Sequence, residues 1–126
     1  MYQENFNQSP EVAEQIKPFA MLPVAIEVQP DQKVAQLIAE LSPDVSWGDR
    51  QMAAKKLGYM GSSEALHGLL NALLADPFWM VRCAIIQALE RIGDPRAIPA
   101  LHEVANGDSF EVVRLYAVKA IERLSL

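Results

Sequence analysis

The side chains able to carry chemistry are few: one cysteine, Cys83, two histidines, His67 and His102, and three arginines, Arg50, Arg82 and Arg114, evenly spaced 32 residues apart. A nucleophilic Cys83 would need a base within hydrogen-bond reach. A lone cysteine also excludes an intramolecular disulfide, a Cys-rich zinc module and a CxxC redox pair. No HExxH and no cluster of two histidines with a carboxylate stands at workable spacing, so no metal and no cofactor is expected. The stretch GYMGSS follows a helical pattern rather than a strand, so its glycines read as a helix exit and not as a phosphate loop. The arginines are the stronger feature, because a planar guanidinium grips a carboxylate with two bonds at once. At one constant register they would tie repeated units to acids of adjacent turns, with Asp76, Asp94 and Asp108 available. Otherwise they would bind an anion or an acidic partner.

The interval is a property of the whole chain. A slide by 32 places Trp47 on Trp79, Arg50 on Arg82, Leu57 on Leu89, Gly61 on Gly93, Ala65 on Ala97 and Leu69 on Leu101. A second slide places Asp76 on Asp108, Phe78 on Phe110, Val81 on Val113, Ala88 on Ala120, Glu90 on Glu122 and Arg91 on Arg123. A fixed period of this size marks a solenoid of supersecondary units. Each period reads as two helices. FWMVRCAIIQALERIGD carries apolar residues at 81, 84, 85, 88, 89 and 92, a helical stripe. Asp76 or Asp108 is placed to cap a helix start, and Gly93 suits a left-handed exit. PRAIPALHEVANGD, SEALHGLLNALLA and DQKVAQLIAELS repeat the preceding helix. The expected fold is therefore all-α, with about three hairpins pairing 31–42 with 47–60, 63–75 with 78–92, and 95–106 with 109–124. The short turns make each pair antiparallel.

VRCAIIQALERIGDPRAIPAL and VVRLYAVKAIERL resemble the HEAT-like repeats of phycobilin lyases and related cyanobacterial proteins, through Val-Arg, small residues, Ala-Leu, Ile-Gly-Asp-Pro and Ala-Ile-Pro-Ala-Leu. DRQMAAKKLGYMGSSEALHGLL is a looser unit without the Val and the Asp-Pro. The resemblance covers residues 31–126 and implies an α-solenoid. Such repeats serve as scaffolds, adaptors, lyase subunits and, in one branch, metal hydroxylases, so the activity stays open. His102–Glu103 is similar to the hydroxylases' His-Glu pairs, but a dinuclear centre needs several pairs converging and this sequence supplies one. In this architecture the histidines fall on outer first helices and Cys83 on an inner second helix, which makes a catalytic triad awkward.

Residues 1–30 do not continue the pattern: Pro18 stands at the arginine register, and Pro10, Pro18, Pro23 and Pro30 cut the segment into short pieces. They are expected to form an irregular N-terminal cap or arm on a repeat domain of residues 31–126. The opening MYQENFNQSPEVAE is wrong for a secretory signal, and no apolar run is long enough for a membrane span, so the expected compartment is the cytoplasm. The formal charge of −5 argues against nucleic acid. That acidity lies before residue 50, where eight Asp and Glu meet only Lys17 and Lys33, leaving room for a basic strip beyond it.

The second helices carry more large apolar residues than one core stripe requires. Trp79, Cys83, Ile86 and Gln87 fall beside the stripe, joined by Trp47 from the preceding unit and Leu115, Val118 and Lys119 from the following one. This set is expected to form an inner docking face, since tryptophan-rich apolar surfaces mark interface centres. The expected function is a non-enzymatic interaction module, a scaffold or assembly factor with a protein partner and possible self-association. The alternative, from the resemblance, is an accessory subunit of a bilin-type pigment lyase, with Arg82 or Arg114 pairing to propionates and Trp79 stacking on the pigment.

Overall fold

The computed structural model describes residues 30–126, so the expected cap or arm before residue 30 lies outside the described residues. Among the described residues six α-helices follow one another: α1 (Pro30–Ala39), α2 (Trp47–Met60), α3 (Leu66–Ala75), α4 (Trp79–Ile92), α5 (Ile98–Gly107) and α6 (Glu111–Leu124). Short 3-10 turns, Ser63–Ala65 and Pro95–Ala97, lead into α3 and α5. Among the described residues there is no strand. The fold is the expected all-α stack of three hairpins, with α2, α4 and α6 side by side in one layer and α1, α3 and α5 in the other.

Local chemistry sets these boundaries. Ser46 caps α2 by accepting the Asp49 amide at 3.3 Å. Ser62 and Asp94 do the same at the two 3-10 turns, at 3.1 and 3.0 Å, covering amides that have no carbonyl a turn behind them. Gly61 and Gly93 end α2 and α4 at φ 66° and 77°, a left-handed conformation that a Cβ resists. Asp76 and Asp108 do not cap helices as expected. The N-caps are Phe78 and Phe110, which have no side-chain cap bond, and the aspartates lie two residues earlier. Asp76 accepts the Phe78 amide at 2.9 Å and Asp108 the Phe110 amide at 3.0 Å, so each braces its turn while its outer oxygen stays available.

Inside each hairpin the anticipated stripe is buried. Leu37, Leu57, Leu69, Leu73, Val81, Ile85, Leu89, Leu101 and Val113 are closed off almost completely. Between the first two hairpins the helices come closer than side chains normally permit. A Cβ on Gly58 of α2 would stand 2.8 Å from the Ala88 Cα of α4, so that crossing needs glycine against alanine.

Candidate functional site

The arginine ladder is a set of joints between hairpins. Arg50 of α2 reaches across the seam to Asp76, Nε to Oδ2 at 2.7 Å and Nη2 to Oδ1 at 3.1 Å. Arg82 of α4 repeats this on Asp108 at 2.7 and 3.0 Å. Each of the two aspartates stands 26 residues beyond its arginine, in the turn of the next hairpin. The third guanidinium nitrogen points backward: Nη1 of Arg50 donates to the Val45 carbonyl, that of Arg82 to the Asp76 carbonyl and that of Arg114 to the Asp108 carbonyl. One cation thus ties its own turn to the next, through charge-assisted bonds that satisfy both buried partners. Asp94, the third expected acid, pairs instead with its neighbour Arg96 at 2.6 Å, and those bonds hold its carboxyl down at about 2.

Burial by itself would raise the Asp108 pKa. The Arg82 hydrogen bonds, the Phe110 amide and the charges of Arg82 and Arg114 together outweigh that burial and leave the carboxyl below its ordinary value. Phe110 also lies under the Arg82 guanidinium, 5.9 Å from ring centroid to carbon. Aromatic rings follow the same period. Trp47 packs on Phe78 at 4.8 Å between centroids, and Trp79 stacks on Phe110 at 5.8 Å. The tryptophans therefore staple adjacent hairpins together at their turns.

This seam corrects the expected docking face. Ile86 is fully buried and Cys83 is 8 % exposed, because both lie where α4 meets the following hairpin. Neither is available to a partner. Burial, first among its influences, raises the Cys83 thiol pKa, with the Arg82 charge opposing and the Asp108 charge reinforcing the rise. Trp79 is half-buried in its stack, while Trp47 keeps 47 % of its surface exposed. Leu115 and Val118 sit at the Cys83 and Ile86 registers but are 59 % and 43 % exposed. Gln87 and Lys119 are exposed as expected. The anticipated patch is thus split, with its centre inside the stack and its α6 members on the end of it.

A second surface was not singled out in the sequence reading. Between α4 and α6 runs a groove of about 470 Å³ lined by Gln87, Glu90, Arg91, Tyr116, Lys119 and Arg123. Arg123 bonds Glu90 at 2.9 Å, and Arg91 lies over the Tyr59 ring of α2 at 4.5 Å. The signal was present, since Glu90 and Arg91 recur as Glu122 and Arg123. Repetition on an exposed face reads as helix solvation until neighbouring ridges are aligned. His67 and His102 are exposed on α3 and α5. Among the described residues no three His, Cys, Asp or Glu side chains gather as metal ligands would, and no helix is long and apolar enough to cross a membrane.

The family model for HEAT repeats matches residues 34–122, which takes in part or all of every helix described above. No curated protein matches the chain in sequence.

Proposed function

The chain belongs to the HEAT-repeat family, and from that premise we propose a non-enzymatic interaction module, a scaffold or assembly factor that docks an acidic stretch of a protein partner across α2, α4 and α6. One observation carries this reading: the exposed positive charge is aligned on that layer. Lys55, Gln87 and Lys119 occupy one register down the three helices, and Tyr59, Arg91 and Arg123 occupy the next. All six are exposed, in a chain whose formal charge is −5. The acids on those three helices are Asp49, Glu90, Glu111 and Glu122. The opposite layer carries Asp31, Glu40, Glu64 and Glu103 with only Lys33 and Arg96 as cations among the described residues, so the asymmetry lies in the positive charge. A cationic strip that includes Tyr59, on a molecule of opposite overall sign, attracts and orients an acidic segment. Trp47, exposed at the start of α2, adds an aromatic anchor beside it. A cytoplasmic setting fits a single unpaired thiol.

The pigment-lyase reading is weaker on the same geometry. It needs Arg82 or Arg114 for propionates and Trp79 for stacking, but Trp79 is held by Phe110 and Arg82 by Asp108, which leaves only Arg114 with donors to spare.

The test is calorimetric titration with a polyglutamate peptide, with a polyglutamine peptide as control. Lys55→Glu with Lys119→Glu should weaken binding about tenfold or more and leave the melt unchanged, and added salt should weaken it further. Equal affinity for both peptides, or indifference to the double substitution, would remove the acidic partner from the proposal.

A further inference from the structure

The joints between hairpins follow a rule that the two ends of the stack leave half-fulfilled. Arg50 holds Asp76 and Arg82 holds Asp108. Arg114 stands at the same register, with its backward bond to the Asp108 carbonyl in place. Its Nε and Nη2, the atoms that hold the aspartate in the other two joints, have no acceptor among the described residues. At the opposite end, Asp44 occupies the Asp76 and Asp108 register. It is exposed, its carboxylate bonds nothing among the described residues, and the position 26 residues before it is Pro18. Among the described residues, one end offers a two-donor fork without a carboxylate, and the other offers the carboxylate without a fork.

The surrounding side chains match in the same sense. Glu122 of α6 stands at the register of Gly58 and of Glu90, so the α4–α6 seam already takes a glutamate at this position in place of the glycine. Lys56 of α2 stands at the register of Ala88, which faces Gly58 across the α2–α4 seam. Val118 lies one turn before Glu122, and Met52 one turn before Lys56. Val118, Leu115 and Met52 are all exposed apolar side chains. Continuing the stack would therefore set acid against base and apolar against apolar.

We propose that the α6 end of one copy seats the α1–α2 end of a second copy, with Arg114 taking the second copy's Asp44 as Arg50 takes Asp76. The contact is head-to-tail, so it either closes into a ring or extends as a filament, and assembly rises with concentration. It uses the ends of the stack rather than the basic ridges, so it stands independently of the acidic-partner reading.

Sedimentation of the full chain over a range of concentrations tests it, with melting as the control for folding. Arg114→Asp and Asp44→Arg should each raise the concentration needed for assembly about thirtyfold or more. The double variant carrying both should regain assembly, and so should a mixture of the two single variants, whose junctions become complementary. Asp44→Arg alters an exposed turn and leaves both buried joints untouched, so it remains informative if Arg114→Asp melts early. Val118→Asp should also disrupt assembly. A parent that stays monomeric at every concentration overturns the proposal. So does assembly that falls to Val118→Asp but survives Asp44→Arg, which would place another segment on α6.

Discussion

Cys83 and Ile86 on α4 occupy the same register as Leu115 and Val118 on α6, 32 residues further on, yet the first pair is buried and the second is bare. Helix type, period and chemistry are alike at these positions. What differs is the presence of a neighbour. A middle helix of a solenoid is covered on three sides, by its own hairpin partner and by the hairpins before and after it. An end helix is covered on two. The same contrast holds for the arginines: Arg82 grips Asp108 across a seam, and Arg114 has its fork open. Position in the stack, rather than local sequence, decides whether a residue is closed inside a joint or left exposed.

The largest expected effect sharpens this contrast most directly. Ile86→Asp should cost about 4 kcal/mol or more, because it places a carboxylate in a closed apolar seam. Val118→Asp at the matching register should shift stability by only about 0.5 kcal/mol in a dilute monomer. Denaturant melts of the two variants at low protein concentration measure the difference. Similar costs would mean that the α6 register is also covered in solution.

Asp108→Asn comes next. Breaking a buried pair by removing one partner costs about 3–5 kcal/mol, since Arg82 would be left buried with weaker partners. The pH dependence has a definite sign. The folded pKa of Asp108 is below its ordinary 3.8, so its contribution is fully present above that value and is lost as pH falls through the lower folded value. Melts at neutral pH and through the acid range should show the gap between parent and Asp108→Asn narrowing only below about pH 4. A gap already closing near neutrality would contradict the geometry of the joint. Arg114→Ala, with no aspartate in its fork, should cost about 1 kcal/mol, the loss of one carbonyl bond.

Leu89→Ala should cost about 2–5 kcal/mol through lost burial and a cavity. Leu89 is fully buried, whereas Ile121 at the same register of α6 is only half-buried, so Ile121→Ala should cost less. Denaturant melts that reversed this order would show that the end hairpin packs as firmly as the middle one.

Much of this molecule is legible before any coordinates. The period of 32 gives three hairpins, and the helix ranges follow from the apolar stripes and the exit glycines Gly61 and Gly93, whereas the capping serines Ser46 and Ser62 emerge only from the structure. The arginines read as ties with Asp76, Asp94 and Asp108 as the available acids, of which Asp94 turns instead to its neighbour Arg96. What sequence reasoning missed is the second apolar stripe of α4. A stripe of period 3.6 reports the face a helix turns to its hairpin partner. The seam partners of Cys83 and Ile86 belong to the next repeat, and no local spacing announces them. Surplus apolar residues beside the stripe therefore read as a docking face, although in a middle repeat they are the glue of the stack. In the final repeat the same surplus is exposed, so Leu115 and Val118 keep their place in the reading while Cys83 and Ile86 leave it.

The smallest perturbation compares the two ends of that register through a single thiol. Cys83 is buried, and burial raises its pKa, so little thiolate forms at neutral pH and little reagent reaches it. Leu115→Cys in a Cys83→Ala background moves the thiol to the same register of α6, where the parent side chain is 59 % exposed. The expected result with a maleimide or disulfide reagent is slow labelling of the parent, at a rate set by opening of the α4–α6 seam, and prompt labelling of the relocated thiol. Adding denaturant should speed the first and scarcely change the second, because only the first waits on a structural opening. Raising protein concentration offers a further discrimination. If α6 seats a second copy, the relocated thiol should become protected as assembly proceeds, while the Cys83 rate stays level. Labelling of Leu115→Cys that is as slow as that of Cys83 in a demonstrated monomer would mean that α6 is covered within its own chain, and the distinction between middle and end would then fail at its clearest register.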